Sequence, residues 1–160
     1  MIQAIRETNF IAHIETEAKR IDTGVPSSKI RFLVKFINDL NGAVFYAYPS
    51  TSVIYDRYTA MSFTYSASPD LYAGRVKLLP AGYFKYELYE VSWQGTVNLS
   101  AGEAPATETD VLTPPTAGKG IVQGLVAIGI LYLAEKSGSE EVQYTEYEPP
   151  ASTNYIYYGQ

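Results

Sequence analysis

Leu78-Leu79-Pro80-Ala81-Gly82-Tyr83-Phe84-Lys85-Tyr86-Glu87-Leu88-Tyr89-Glu90-Val91-Ser92-Trp93 is the stretch on which the rest of the chain turns. Pro80 presets a turn and Gly82 supplies conformational freedom, so the stretch opens as a corner. Beyond the corner the residues alternate with period two. Phe84, Tyr86 and Leu88 fall on one face, and Lys85, Glu87, Tyr89, Val91 and Trp93 fall on the other. Aromatic and β-branched side chains suit a pleated surface, so this is a long strand with at least one covered face.

Upstream the same pattern recurs. Ile30, Phe32, Val34 and Phe36 alternate with Arg31, Leu33 and Lys35, and the segment runs into Asn38-Asp39-Leu40-Asn41-Gly42. Asn-Gly is a strong hairpin signal, because both residues tolerate positive φ. A second aromatic strand, Val44 to Tyr48, is closed by Pro49. Arg57 to Tyr65 alternates again, Ser68-Pro69-Asp70 makes a turn, and Gly74 opens a strand from Arg75 to Leu79. Residues 1–24 fit either a helix through Ile11, Ile14, Ala18 and Ile21 or a strand through Phe10, Ala12 and Ile14. The later strands tilt that choice towards strand.

Downstream lies a loop, Ser100 to Gly120, rich in Pro, Thr, Ala, Gly and Glu and with little to bury. The run Ile121 to Ala134, IVQGLVAIGILYLA, fits a buried helix or a buried strand by period alone. Gly124 and Gly129 would each cost a helix about 1 kcal/mol relative to Ala. Val and Ile favour sheets, so a strand bulged near Gly129 is expected. Ser137 to Gln160 is acidic and Tyr-rich, carries Pro149-Pro150 and has no sustained period. The organisation expected is therefore a β-sandwich domain over 1–136, with a long loop at 100–120, followed by an extended C-terminal arm over 137–160.

Composition narrows the function. The 160 residues hold no cysteine, which removes disulfides and thiolate chemistry, and one histidine, His13, which removes multi-histidine metal centres. The 14-residue apolar run is too short to span a bilayer as a helix, and the first residues lack a basic-then-apolar leader. A soluble protein without a membrane partner is expected. Residues 1–100 hold 10 Lys/Arg against 9 Asp/Glu, whereas 101–160 hold 2 against 8. Phosphate backbones repel so acidic a second part, and nucleic acid is not expected as a partner.

No motif for chemistry assembles. His13 has no nucleophile elbow to serve. Glu87 and Glu90 lie three apart in one strand and point to opposite faces, which does not make a carboxylate pair. Glu140, Glu141, Glu146 and Glu148 lack a calcium-loop pattern, and Gly118-Lys119-Gly120 lacks the rest of a phosphate loop. Catalytic residues, cofactors and metals are accordingly all expected to be none. Two binding features remain. Trp93, with Tyr83 and Tyr89, could offer rings for a sugar or another surface contact. In the arm, Tyr144, Tyr147, Tyr155, Ile156, Tyr157 and Tyr158 supply apolar surface with no local home, and Asn154 to Tyr158 could add as a strand to a neighbour's sheet edge.

About seven strands with turns every eight to twelve residues imply an all-β, Greek-key β-sandwich. The Leu78–Tyr86 passage resembles the corner between the fifth and sixth strands of an immunoglobulin-like domain. Phe84 stands where such domains often keep a corner tyrosine and Tyr86 where antibody domains keep a cysteine, so neither the corner hydrogen bond nor the disulfide is available. The wider layout resembles small β-rich structural proteins of tailed bacteriophages. Phe36-Ile37-Asn38-Asp39, Asp56-Arg57-Tyr58, Leu78 to Glu90 and Gly129-Ile130-Leu131-Tyr132-Leu133 carry that resemblance, which covers roughly residues 10–135. It implies a non-enzymatic virion component, foremost a capsid decoration or auxiliary protein. Its partners would be the major capsid protein or neck and tail subunits, and the chain would form a homo-oligomer. A neck or tail protein, or a carbohydrate- or host-surface-binding module using Trp93, is the alternative.

Overall fold

The computed structural model describes residues 1–112 and 118–137. In chain order the strands are β1 (Ile2–Ile5), β2 (Phe10–Ile14), β3 (Ile30–Asn38), β4 (Val44–Ala47), β5 (Thr51–Ile54), β6 (Thr59–Tyr65), β7 (Arg75–Val76), β8 (Gly82–Ser92) and β9 (Ile121–Ala134). They form two sheets. One has the order β1-β9-β8-β3-β4, and the other is β2-β6-β5 with β7 attached to β6. The β1–β9 and β6–β7 pairs are parallel, and the remaining pairs are antiparallel. Two single 3-10 turns, Glu17–Lys19 and Ser27–Lys29, lie between β2 and β3.

β8 follows the alternation of its sequence. Phe84, Tyr86 and Leu88 are buried, and Leu88 and Tyr86 stand opposite Val34 and Phe36 of β3. These inward faces meet Ala12, Met61 and Phe63 from the other sheet. The Phe10 and Phe63 rings stack at 5.1 Å, and Phe36 meets Phe63 edge-on at 5.6 Å. Full burial of one such side chain stabilises by about 1.5–3 kcal/mol. The peptide Leu79–Pro80 at the entry to β8 is cis.

The β3–β4 connection is the hairpin that Asn41-Gly42 signals. Gly42 has φ +71°, and Asn38 Oδ1 accepts the N–H groups of Leu40 and Asn41. Near the start of the chain, the strand alternative holds for Ile2–Ile5 and Phe10–Ile14. Residues 121–134 form a strand too, but two expectations about them are corrected. Its extra residues are Gln123 and Val126, where the register with β8 shifts. Gly129 stays in register opposite Tyr86, whose ring occupies the space a side chain would take. Nor is the strand buried on both sides. Leu131 and Leu133 point into the core, while Leu125, Ile128 and Ile130 are exposed.

Candidate interaction surface

The two sides of β8 have different fates. Its inward side builds the core between the sheets, and its outward side is divided in two. Towards Trp93 the outer face is roofed by the segment that follows. Trp93 is wholly buried in a second apolar cluster with Leu33, Tyr48, Val91 and Ala104, against which Val97 and Leu99 pack. Tyr48 Oη donates to the Pro105 carbonyl at 2.7 Å, and its ring stacks on Tyr72 with centroids 6.1 Å apart. Gly120 closes over the indole so tightly that a Cβ there would lie 2.6 Å from Trp93 Cζ2.

Two expectations are thereby corrected. Trp93 presents no ring face to solvent, so it is not a glycan or surface contact. The described part of the 100–120 loop does have something to bury, namely the apolar outer side of β8 and β3. Small residues such as Ala104 and Gly120 carry no sequence signal of burial, yet they are what fits against an indole.

Beside this roof lies a cluster of charges. Lys35 on β3 donates through Nζ to Glu108 Oε1 at 2.5 Å and lies 3.6 Å from Glu87 Oε2. Tyr46 Oη donates to Glu108 Oε2 at 2.5 Å, Tyr89 Oη to Glu87 Oε2 at 2.8 Å, and Lys85 Nζ to Glu87 Oε1 at 2.7 Å. Each interaction widens the gap between these groups and neutral pH. The hydrogen bond to Glu108 pushes the Lys35 ammonium up, against the opposing effect of burial. The bond from Lys85 holds Glu87 below the usual carboxylate range. Burial opposes ionisation of Glu108, but the bonds from Lys35 and Tyr46 outweigh it, and its pKa is lowered. Burial, followed by the bonds to these carboxylates, raises Tyr46 and Tyr89 to about 12. Through Glu108 the cluster ties the roof segment to the sheet as an ionic clasp.

Glu87 and Glu90 lie on opposite faces, as their spacing requires. Glu90 is buried on the inner side, where Oε2 accepts the Ile21 N–H at 2.9 Å and Oε1 the Asp22 N–H at 2.7 Å. Ser92 Oγ donates to Asp22 Oδ2 at 2.8 Å, and Gln123 Nε2 donates to Ser92 Oγ at 2.8 Å. These groups tether the 17–25 segment across the end of the sandwich. His13 is exposed on β2, edge-on to the Tyr58 ring at 5.1 Å.

Beyond the roof, no other described strand or segment packs over the outer face of β9. The register sends Leu125, Ile128, Ile130 and Tyr132 outward, opposite Tyr89, Glu87, Lys85 and Tyr83 of β8. Ile128 is 56% exposed, Ile130 50% and Tyr83 55%. The Tyr83 and Tyr132 rings lie 5.0 Å apart. The row is a continuous apolar feature of the described surface. Sequence reasoning misses it because the run Ile121 to Ala134 is almost wholly apolar, and period cannot show which face of such a run is left uncovered.

The arm residues expected to bind a partner, Tyr144, Tyr147, Tyr155, Ile156, Tyr157 and Tyr158, lie outside the described residues, as do Glu140, Glu141, Glu146 and Glu148. Among the described residues no group of three or more His, Cys, Asp or Glu is placed to hold a metal ion. No helix among them is long and apolar enough to cross a membrane. No protein family, curated protein or solved structure matches the chain.

Proposed function

We propose that this chain is a non-enzymatic structural protein of a tailed-phage virion. In this reading it is a capsid decoration or auxiliary protein that docks on neighbouring subunits and stabilises the particle. The observation that carries the docking part is the uncharged, exposed row on β9, which no other described segment covers. An apolar patch of that extent is a feature of association surfaces. The ionic clasp supports a structural role as well, since it ties the segment carrying Glu108 to Lys35 and Tyr46 of the sheet. The resemblance over residues 10–135 supports the virion setting.

The finer fold belongs to the same proposal. The strand order β4-β3-β8-β9 facing β2-β6-β5 fits the C′CFG and BED sheets of a variable-type immunoglobulin domain, with β1 added beside the last strand. The arm over 137–160 would add contacts to the major capsid protein or to neck and tail subunits. A neck or tail position uses the same docking chemistry. The carbohydrate-binding alternative loses Trp93 to the interior, which leaves Tyr83 as the well-exposed ring among Tyr83, Tyr89 and Trp93.

The test is sedimentation of particles from cells that produce the chain, with detection by an antibody against it. The chain is expected in the particle fraction at a fixed ratio to the major shell protein. Recovery only among soluble proteins would overturn the virion reading.

A further inference from the structure

We propose that the outer face of β9 is the contact surface for a second copy of this chain, packed face to face about a two-fold axis. The inference deepens the docking reading and rests on its homo-oligomeric part. From Ile121 to Ala134 the strand contains no charged residue. Its outward residues Leu125, Ile128, Ile130 and Tyr132 continue onto Tyr83 of β8 and onto Ile5 of β1, which is half exposed. Together they leave on the order of 600 Å² uncovered, near the roughly 800 Å² that each partner contributes to a standard interface.

Charge selects the occupant. A two-fold contact needs a patch complementary to itself. The row has no charge of its own to repel its image, and the flanking charges are paired. Lys85 bonds to Glu87, and Glu87 lies within reach of Lys35. A strongly acidic or basic partner would find no free counter-charge along the row. Sheet faces of this kind stack about 10 Å apart with their side chains interdigitated.

The geometry also favours the face over the edge. β1 pairs with β9 only from Leu131 to Ala134, so the rest of that edge lacks a strand partner among the described residues. Bulges at Gln123 and Val126 break its hydrogen-bonding rhythm, and the Ile21 side chain lies against Gly124. Bulges and covering segments are the ordinary means of blunting an edge. Nothing comparable among the described residues covers Ile128 and Ile130.

The experiment measures molar mass by light scattering after size exclusion, on the full chain, over a hundredfold range of concentration. The wild type is expected to approach twice the 17.7 kDa chain mass. Ile130→Glu should weaken association by about 100-fold or more, because each copy would bury an unpaired carboxylate. Val53→Glu, on β5 of the other sheet and equally exposed, should leave it unchanged. Ile130 is half exposed, so its variant should keep the wild-type thermal midpoint within a few degrees. A wild type that stays monomeric, or an Ile130→Glu protein that stays dimeric, would overturn the proposal. A full chain with Tyr155, Ile156, Tyr157 and Tyr158 all changed to Ser separates the arm from the face. Loss of the dimer in that variant would make the arm the tie and overturn the face. A dimer appearing only in that variant would show the arm covering the face within one chain, and would also overturn it. Persistence of the dimer supports it. Because mass is read on the isolated protein, a dimer that does not join particles would sink the virion reading and leave this inference standing.

Discussion

Tyr86 places its ring in the space where Gly129, its cross-strand neighbour on β9, lacks a side chain. A Cβ built on Gly129 would sit 2.5 Å from Tyr86 Cζ and 2.7 Å from Cε1. An aromatic ring over a cross-strand glycine restores packing that the glycine alone forfeits. Here the pair stands at the centre of the larger sheet, where the immunoglobulin comparison would place a half-cystine.

Gly129→Ala should therefore destabilise the fold by about 1–3 kcal/mol through overpacking. Combining it with Tyr86→Leu should cost less than the two single changes added together, because the smaller side chain makes room. Chemical denaturation of the four proteins measures the coupling. Strict additivity would mean that the ring does not occupy the glycine's space.

Acid should loosen the roof over β8. Glu87 and Glu108 have folded pKa values below the ordinary carboxylate range, so the unfolded chain takes up protons first. Their contribution is present above the unfolded value of about 4.5 and is lost as pH falls through the folded ones. Lys35 and Tyr46 have raised folded values, so theirs is present below the unfolded values and is lost at strongly alkaline pH. Thermal midpoints should be flat across neutral pH and fall below about pH 4.5. Glu108→Gln should lower the neutral plateau by about 1–3 kcal/mol and make the acid limb shallower. An unchanged acid limb in that variant would refute the clasp.

Trp93 is the one tryptophan, so its fluorescence reports the roof directly. Emission should be blue-shifted and poorly quenched by acrylamide at neutral pH, and should move towards the exposed spectrum in the acid range that weakens Glu108. Trp93→Ala should cost about 3–5 kcal/mol, the usual range for emptying a buried aromatic site. A freely quenched tryptophan in the folded protein would contradict its burial.

Glu90 accepts two backbone N–H groups, one through each carboxylate oxygen. Glu90→Ala would leave the Ile21 and Asp22 amides without that acceptor, at a cost of about 2–4 kcal/mol. Limited proteolysis should then cut within residues 17–25, far faster than in the wild type. Equal cleavage rates would show that Ser92 and Gln123 hold the segment without it.

How much of this is legible in the sequence follows from the range of each signal. The alternation of Phe84, Tyr86 and Leu88 is local, and by itself it marks both the strand and its core face. Asn41-Gly42 marks a hairpin for the same reason. The clasp joins Lys35 to Glu108 across the whole of β4 to β8, and no spacing rule connects two residues that distant. Trp93 is misread because a strand-end ring beside a polar loop looks exposed until Ala104 and Gly120 are seen to fit against it. Along β9 the opposite error arises. A run of aliphatics implies burial on both sides, and only the register with β8 shows that one side has no cover among the described residues.

The parallel pairing of Ile2 with Leu131 has a consequence for how the chain comes to be folded. β9 sits between β1 and β8, so among the described strands β1 finds its partner in that sheet only once β9, far along the chain, has been made. Contacts that close so long a loop form slowly. During synthesis the β1 side chains Ile2 and Ala4 stay without their β9 neighbours until that strand is made, and β8 then gains its second flank in the same step.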